Sequence, residues 1–210
     1  MTQLTLVDVL LDATRGRFPP ADGAVDVVPV PDGELEAVLA LTGHAVIQAD
    51  IGVEDALQAG ADGFGGATSP AFLLWLAGGG WISSHDVVLW AAATGEADAP
   101  AKTTEFDDHP RVVAARRIRR DVRVHGDDHG IVTIGRGLGD QWELGVQIAS
   151  EHRGSGSGRR LIAAARALRP LGEPLFAHVA PGNAASLRAF LAAGFVPLGS
   201  VVMIRPGSRP

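Results

Sequence analysis

Residues 142–195 read WELGVQIASEHRGSGSGRRLIAAARALRPLGEPLFAHVAPGNAASLRAFLAAGF, and this stretch decides the fold. Trp142, Leu144, Val146 and Ile148 alternate with Glu143, Gly145, Gln147 and Ala149, the period of a half-buried strand. Arg153-Gly154-Ser155-Gly156-Ser157-Gly158 breaks that period, and Leu161, Ile162, Ala165 and Leu168 then recur on one helical stripe. Residues 175–179 give a second strand. Asn183 caps a second helix carrying Leu187, Phe190 and Leu191, and Gly194 stands where the residue after a helix end belongs. A glycine-rich turn between a strand and a helix lets successive backbone N–H groups converge beside a positive helix end, which suits phosphate. The loop is not a Walker loop, because it ends Gly-Arg-Arg rather than Gly-Lys-Ser/Thr. It also misses the dinucleotide fingerprint, since its third glycine comes one residue early.

Outward from this stretch the pattern stays α/β. Pro110 opens a helix through about Arg117, Val122 and Val124 alternate with Arg123 and His125, and residues 126–130 turn the chain into a return strand at 131–134. Short strands at 196–198 and 201–204 close the chain. Toward the N-terminus we expect strands at 25–30, 45–49 and 87–91. Helices are expected at 53–59, from Ser69-Pro70 to Trp75, and after Pro31-Asp32-Gly33, with Leu35, Val38 and Leu39 on one face. Residues 60–70 read as a loop and 93–110 as a linker, rich in Ala, Asp, Thr and Pro. There is no internal repeat.

The chain has 210 residues, 46% hydrophobic and 20% charged, enough apolar surface for a full core and too much for a disordered chain. Its longest apolar run, residues 71–82, carries three glycines and is far short of the ~20 residues a membrane span needs. The first residues lack the basic start of a signal peptide, so a cytoplasmic location is expected. Without cysteine there are no disulfides and no thiolate nucleophile. The net charge of −6 is split. Residues 1–108 carry 17 acidic and 3 basic side chains, a formal −14, and residues 109–210 carry 7 acidic and 15 basic ones, a formal +8. Such a split suits either an anionic ligand for the basic half or docking of the halves on each other.

Two motifs, in order and on matching elements, resemble the GNAT superfamily of acyl-CoA-dependent N-acetyltransferases. Arg153, Gly156 and Gly158 match its R/Q-x-x-G-x-G/A pyrophosphate loop. Asn183, Ser186, Phe190, Gly194 and Phe195 match its N-x-x-A/S-x-x-x-Y-x-x-x-G-F helix, with phenylalanine where many members carry tyrosine. The resemblance implies that Arg153, Gly154, Ser155, Gly156, Ser157, Gly158 and Arg159 hold the pyrophosphate of acetyl-CoA. It implies that the strand edge through Val146, Ile148 and Ser150 takes the pantetheine as an added strand. A backbone N–H near Ile148 would polarise the thioester carbonyl, and Asn183 and Phe190 would face the cofactor arm. Phe190 has no hydroxyl to protonate the leaving thiolate.

A base must accept the amine proton, since alkylamines are mostly protonated at pH 7. Glu143 lies near where relatives carry a catalytic glutamate, though one residue out of register unless the strand bulges. Its alternative is a solvated carboxylate at a strand start. His178, on the strand 175–179, brings an imidazole, a side chain suited to proton transfer; its alternative is a satisfied core histidine. His152 reads as structural, and His125 and His129 as surface residues flanking a turn. No histidine pair shows metal-ligand spacing with a carboxylate, so no metal is expected. The arginine run Arg116, Arg117, Arg119, Arg120 and Arg123 lacks interleaved aromatics and reads as an exposed helix end meeting the acidic half, not as a nucleic-acid surface.

The expectation is an α/β (α+β) protein. An acidic N-terminal α/β extension spans 1–92, a linker 93–109, and a GNAT-like core with a mixed, mostly antiparallel sheet 110–210. The expected activity is acetyl transfer from acetyl-CoA to a primary amine of a small molecule or peptide, by direct attack in a ternary complex. The alternative is a non-catalytic CoA-binding or interaction module. No membrane or nucleic-acid partner is expected, and a homodimer is compatible with the chain.

Overall fold

The computed structural model describes residues 4–95 and 99–208. In it the alternating run becomes strand β8 (Trp142–Ile148), the glycine loop leads into helix α5 (Ser157–Ala165), and the next strand is β9 (Pro174–Val179). The architecture is mixed α/β, with mostly antiparallel sheet and flanking helices. Two compact units divide the chain, one of residues 1–88 and 198–210, the other of 89–197. The expected core segment, 110–210, therefore contributes its last residues to the first unit.

The first unit holds α1 (Leu6–Ala13), β1 (Val25–Val28), β2 (Glu36–Leu41), β3 (His44–Gln48), α2 (Val53–Gln58), α3 (Pro70–Ala77) and β4 (Trp81–Ile82). It also takes most of β10 (Val196–Arg205). Its strands run β1-β3-β2-β10, with β4 also paired to β10. Val38, Ile47, Val202 and Ile204 pack with Phe72 and Leu76 of α3. The helix expected after Gly33 is a strand instead: EAVLAL is built largely of good helix formers, but five of its six residues are buried, so both faces are covered and sheet packing overrides local propensity. The two short strands expected at 196–198 and 201–204 are one continuous strand, β10.

Helix α3 begins as its sequence dictates. Ser69 accepts a hydrogen bond from Phe72 N at 3.2 Å and Pro70 fills the first turn, where no N–H is needed. Ser69→Ala should cost about 1 kcal/mol in urea denaturation, with the slope unchanged.

The second unit contains part of β5 (Asp86–Ala92), α4 (Pro110–Ile118), β6 (Arg120–Asp127), β7 (Gly130–Arg136), β8, α5, β9 and α6 (Ala184–Ala192). Its strand order is β5-β9-β8-β7-β6. Strands β6, β7 and β8 are antiparallel, and β7 meets β8 in unbroken register from Gly130 opposite Ile148 to Arg136 opposite Trp142. The bulge that would shift Glu143 by one position is absent. Side chains of β8 alternate between two covers. Gly158, in the first turn of α5, approaches Ile148, whereas Gly145 approaches Arg111 of α4.

The segment expected as a linker is tied down in part. Lys102 bridges His125, Thr103 N donates to Val124 O, and Gly126 N donates to Ala101 O, so residues 101–103 run along β6. Residues 96–98 of that segment lie outside the described residues. This contact also corrects the expectation for His125. It is buried, with Nδ1 2.9 Å from Pro100 O, and burial pushes its imidazole below the ordinary histidine range. No helix among the described residues is long and apolar enough to cross a membrane.

Candidate functional site

The glycine loop folds tightly for a physical reason. Gly154 and Gly156 have φ of +76° and +82°, values that side chains rarely tolerate, and Gly156 is the N-cap of α5. No side chain caps that helix, so its first-turn N–H groups are left for another acceptor. The serines bind the loop to itself: Ser155 Oγ donates to His152 O at 2.7 Å and lies 2.8 Å from Ser157 Oγ. Arg160 donates to Ser155 O at 3.3 Å and to Ser157 Oγ at 2.9 Å, and Arg153 Nε donates to Ile148 O at 3.4 Å. Arg159 is exposed beside them. A positive helix end with no side-chain cap and three arginines beside it fit an anion.

Strands β8 and β9 are parallel and joined at one pair, Glu143 opposite Phe176. Beyond that bridge no further paired position joins them among the described residues. Every second residue of β8 turns its N–H and C=O away from β7, toward β9, and one of these groups, Ile148 O, accepts from Arg153 Nε. Val146 and Ile148, in this part of β8, are half-buried, and Ser150 is exposed just beyond. Backbone groups turned this way have the polarity that an extended chain carrying amides pairs with.

Phe190 and Asn183 hold different places. Phe190 is 3% exposed, and its ring meets Phe195 edge-on at 5.0 Å, a core contact. Asn183 is exposed and caps α6, its side chain accepting from Ser186 N at 3.2 Å.

The two candidate bases come together. Glu143 is not at the surface: its side chain is 3% exposed and is ion-paired to Arg119, itself 5% exposed. His178, also 5% exposed, has Nδ1 3.6 Å from Glu143 Oε1. That nitrogen and Arg119 Nε lack hydrogen-bond partners among the described residues. Burial alone would push the Glu143 carboxyl up, but Arg119, His178 and Arg111 together outweigh it and hold it below the usual carboxylate range. Glycines make the room. A Cβ at Gly137 would collide with the Glu143 carboxylate, and one at Gly145 would lie about 3 Å from the guanidiniums of Arg111 and Arg119.

The arginine run is thus not a simple exposed patch. Arg119 is buried on Glu143, Arg116 pairs with Asp107 at 2.6 Å and Arg120 with Asp140 at 3.0 Å. Arg123 lies 5.4 Å from the Trp142 ring, which Arg136 and Arg169 approach at 4.0 and 4.1 Å. Sequence reasoning missed the role of Arg119, because nothing in a run of arginines marks the one that turns inward.

Two further features lie near the end of β8. His129 and His152 stack at 4.3 Å, with His129 held in a turn by the exposed Asp127 and Asp128. A cleft of about 300 Å³ is lined by Phe106, His109, Asp127, Gln147, Glu151 and Arg153, among others.

Comparison with known proteins gives distant likenesses. No protein-family model and no curated protein match the chain. Among solved structures, a GNAT-family acetyltransferase from Colwellia psychrerythraea is 13% identical, at a TM-score of 0.38, over 59% of this chain and 56% of that one. A structure from Novosphingobium aromaticivorans, assigned as a GNAT-family acetyltransferase, is 19% identical, at a TM-score of 0.38, over 60% of this chain and 66% of that one. The chain thus spans under two thirds of either structure.

Proposed function

We propose that this chain is an N-acyltransferase that moves an acetyl group from acetyl-CoA to a primary amine of a small molecule or peptide. One observation carries the proposal: strand β8, bridged to its parallel neighbour β9 at Glu143, leads through a short loop into an uncapped, glycine-hinged helix start. The helix start offers N–H groups to the pyrophosphate, and Arg153 and Arg159 add charge. The edge through Val146 and Ile148 would offer hydrogen bonds to the pantetheine amides, and an N–H near Ile148 would polarise the thioester carbonyl.

The step is a direct transfer, since the chain has no cysteine to carry an acyl group. The amine nitrogen forms a bond to the carbonyl carbon, the C–S bond breaks, and coenzyme A leaves with the sulfur. His178 takes the proton released by the amine, and the thiolate takes one from water, because Phe190 has no hydroxyl to give. A thiol is a tolerable leaving group, with an ordinary pKa of about 8.5. Glu143 is enclosed by Arg119 and does not meet the amine itself.

The test is release of free thiol from acetyl-CoA over a panel of amines. His178→Ala should lower turnover by about 10²–10³-fold while acetyl-CoA affinity stays within about twofold. Equal turnover in the variant would remove His178 from the mechanism. A second reading, a CoA-binding module without chemistry, draws on Phe190 and on the enclosure of Glu143. Binding of acetyl-CoA with no turnover of any amine would favour it.

A further inference from the structure

The cluster around Glu143 holds more charge than packing needs. Two arginines from one element, Arg111 on α4 and Arg119 just beyond its end, converge on a single carboxylate under β8. β7 adds Thr133, whose hydroxyl lies 3.4 Å from Arg119 Nη1, and β9 adds His178. Arg119, Arg111 and His178 are the charged and titratable groups that act on Glu143. Gly137 and Gly145 leave the space that these side chains fill. A buried ion pair of this kind is weak evidence for stability, because hydrophobic residues of similar volume would serve as well. Its geometry is more specific than that. The carboxylate lies between a guanidinium and the imidazole proposed as base, whose Nδ1 faces it at 3.6 Å and has no hydrogen-bond partner among the described residues.

Resting on the transferase reading, we propose that Arg119 is a positioning residue: it fixes Glu143 as a carboxylate behind His178, and that fixed charge steadies the imidazole when it takes the amine's proton. Glu143 is then not the base. Its oxygen Oε1 faces both Arg119 and His178 Nδ1, leaving the other ring nitrogen as the one that works on substrate. No proton moves to Glu143. The proton passes from the amine to His178 and then to solvent, and the negative charge behind the ring stays where it was.

Two measurements test this, one of them independent of turnover. In the native protein the side-chain carbon resonance of Glu143 should report a carboxylate throughout about pH 5–8. In Arg119→Gln, which removes the charge that does most to hold the carboxyl down, it should report uptake of a proton within that range. Activity should follow. The acid limb of the kcat profile in Arg119→Gln moves to higher pH by at least about one unit, and kcat at pH 7 falls about tenfold. Acetyl-CoA affinity stays within about twofold. Arg119→Lys, which keeps a cation, restores the native profile. If Arg119→Gln fails to fold, Arg119→Lys and the native Glu143 titration still decide: a Glu143 that is protonated at pH 6 in the native protein overturns the proposal. An active Arg119→Gln with kcat lowered equally at every pH also overturns it, since that is what a purely structural role gives. Absence of turnover in the native protein would instead defeat the transferase reading, and the catalytic role of Arg119 with it.

Discussion

Arg119→Met should destabilise the protein by about 3–5 kcal/mol, the usual cost of removing one partner from a buried ion pair. Both side chains are almost fully enclosed, at 5% and 3% exposure, so the carboxylate left behind cannot turn to water. It must either stay charged with weaker support from Arg111 and His178 or bind a proton. Arg119→Met/Glu143→Leu should recover most of the loss, because a hydrophobic pair of similar volume needs no counter-charge. Urea denaturation of the two single variants and the double one reads the coupling directly. Additive losses would mean that the pair does not interact energetically. The pH dependence has a defined sign. Glu143 is held below its ordinary value in the folded state, so its contribution is complete above the unfolded carboxyl pKa and fades as pH falls through the depressed folded value. The cost of Arg119→Met should therefore shrink in acid.

The path from β8 to α6 was legible in the sequence because the apolar residues there declare their periods. Trp142, Leu144, Val146 and Ile148 alternate, the glycines interrupt, and Ile162 and Ala165 return at helical spacing and are buried. Asn183 and Gly194 mark the ends of α6 by local chemistry alone, and the structure has Asn183 as the N-cap and Gly194 at φ +88°, just past the helix. Strand β2 was illegible for the opposite reason. Residues 36–41 are covered on both faces, so neither period appears, and their helix-forming types mislead. The ionic cluster was half legible. Glu143 and His178 stood out as titratable groups, but their burial depends on Arg119, 24 residues from Glu143. The glycines that make space for the cluster, Gly137 and Gly145, look in sequence like ordinary turn and strand glycines. His125 was misread because its cover comes from residues 100–103, whose sequence carries no strand signal.

Ser155→Glu carries the other large effect. Ser155 sits exposed between the two left-handed glycines, so the substitution needs no change of backbone, unlike one at Gly154 or Gly156. A carboxylate there would share the loop proposed to hold the phosphate oxygens, at a separation of about 4 Å if the two come into contact range. Two like charges at that distance repel by about 4 kcal/mol at a near-surface effective dielectric; with part of that screened, acetyl-CoA affinity should fall by at least about 100-fold. Arg159→Glu should act in the same direction through the same phosphates, with less effect from a more mobile side chain. Circular dichroism should show both variants folded, because neither side chain is part of the core.

The most direct measurement is titration calorimetry of the native protein with acetyl-CoA, run beside Ser155→Glu. Saturable binding at one site, lost in the folded variant, is the predicted result. A native protein that takes up no acetyl-CoA, or a variant that binds it as well as the native protein does, would contradict the assignment of the β8–α5 loop as the pyrophosphate site.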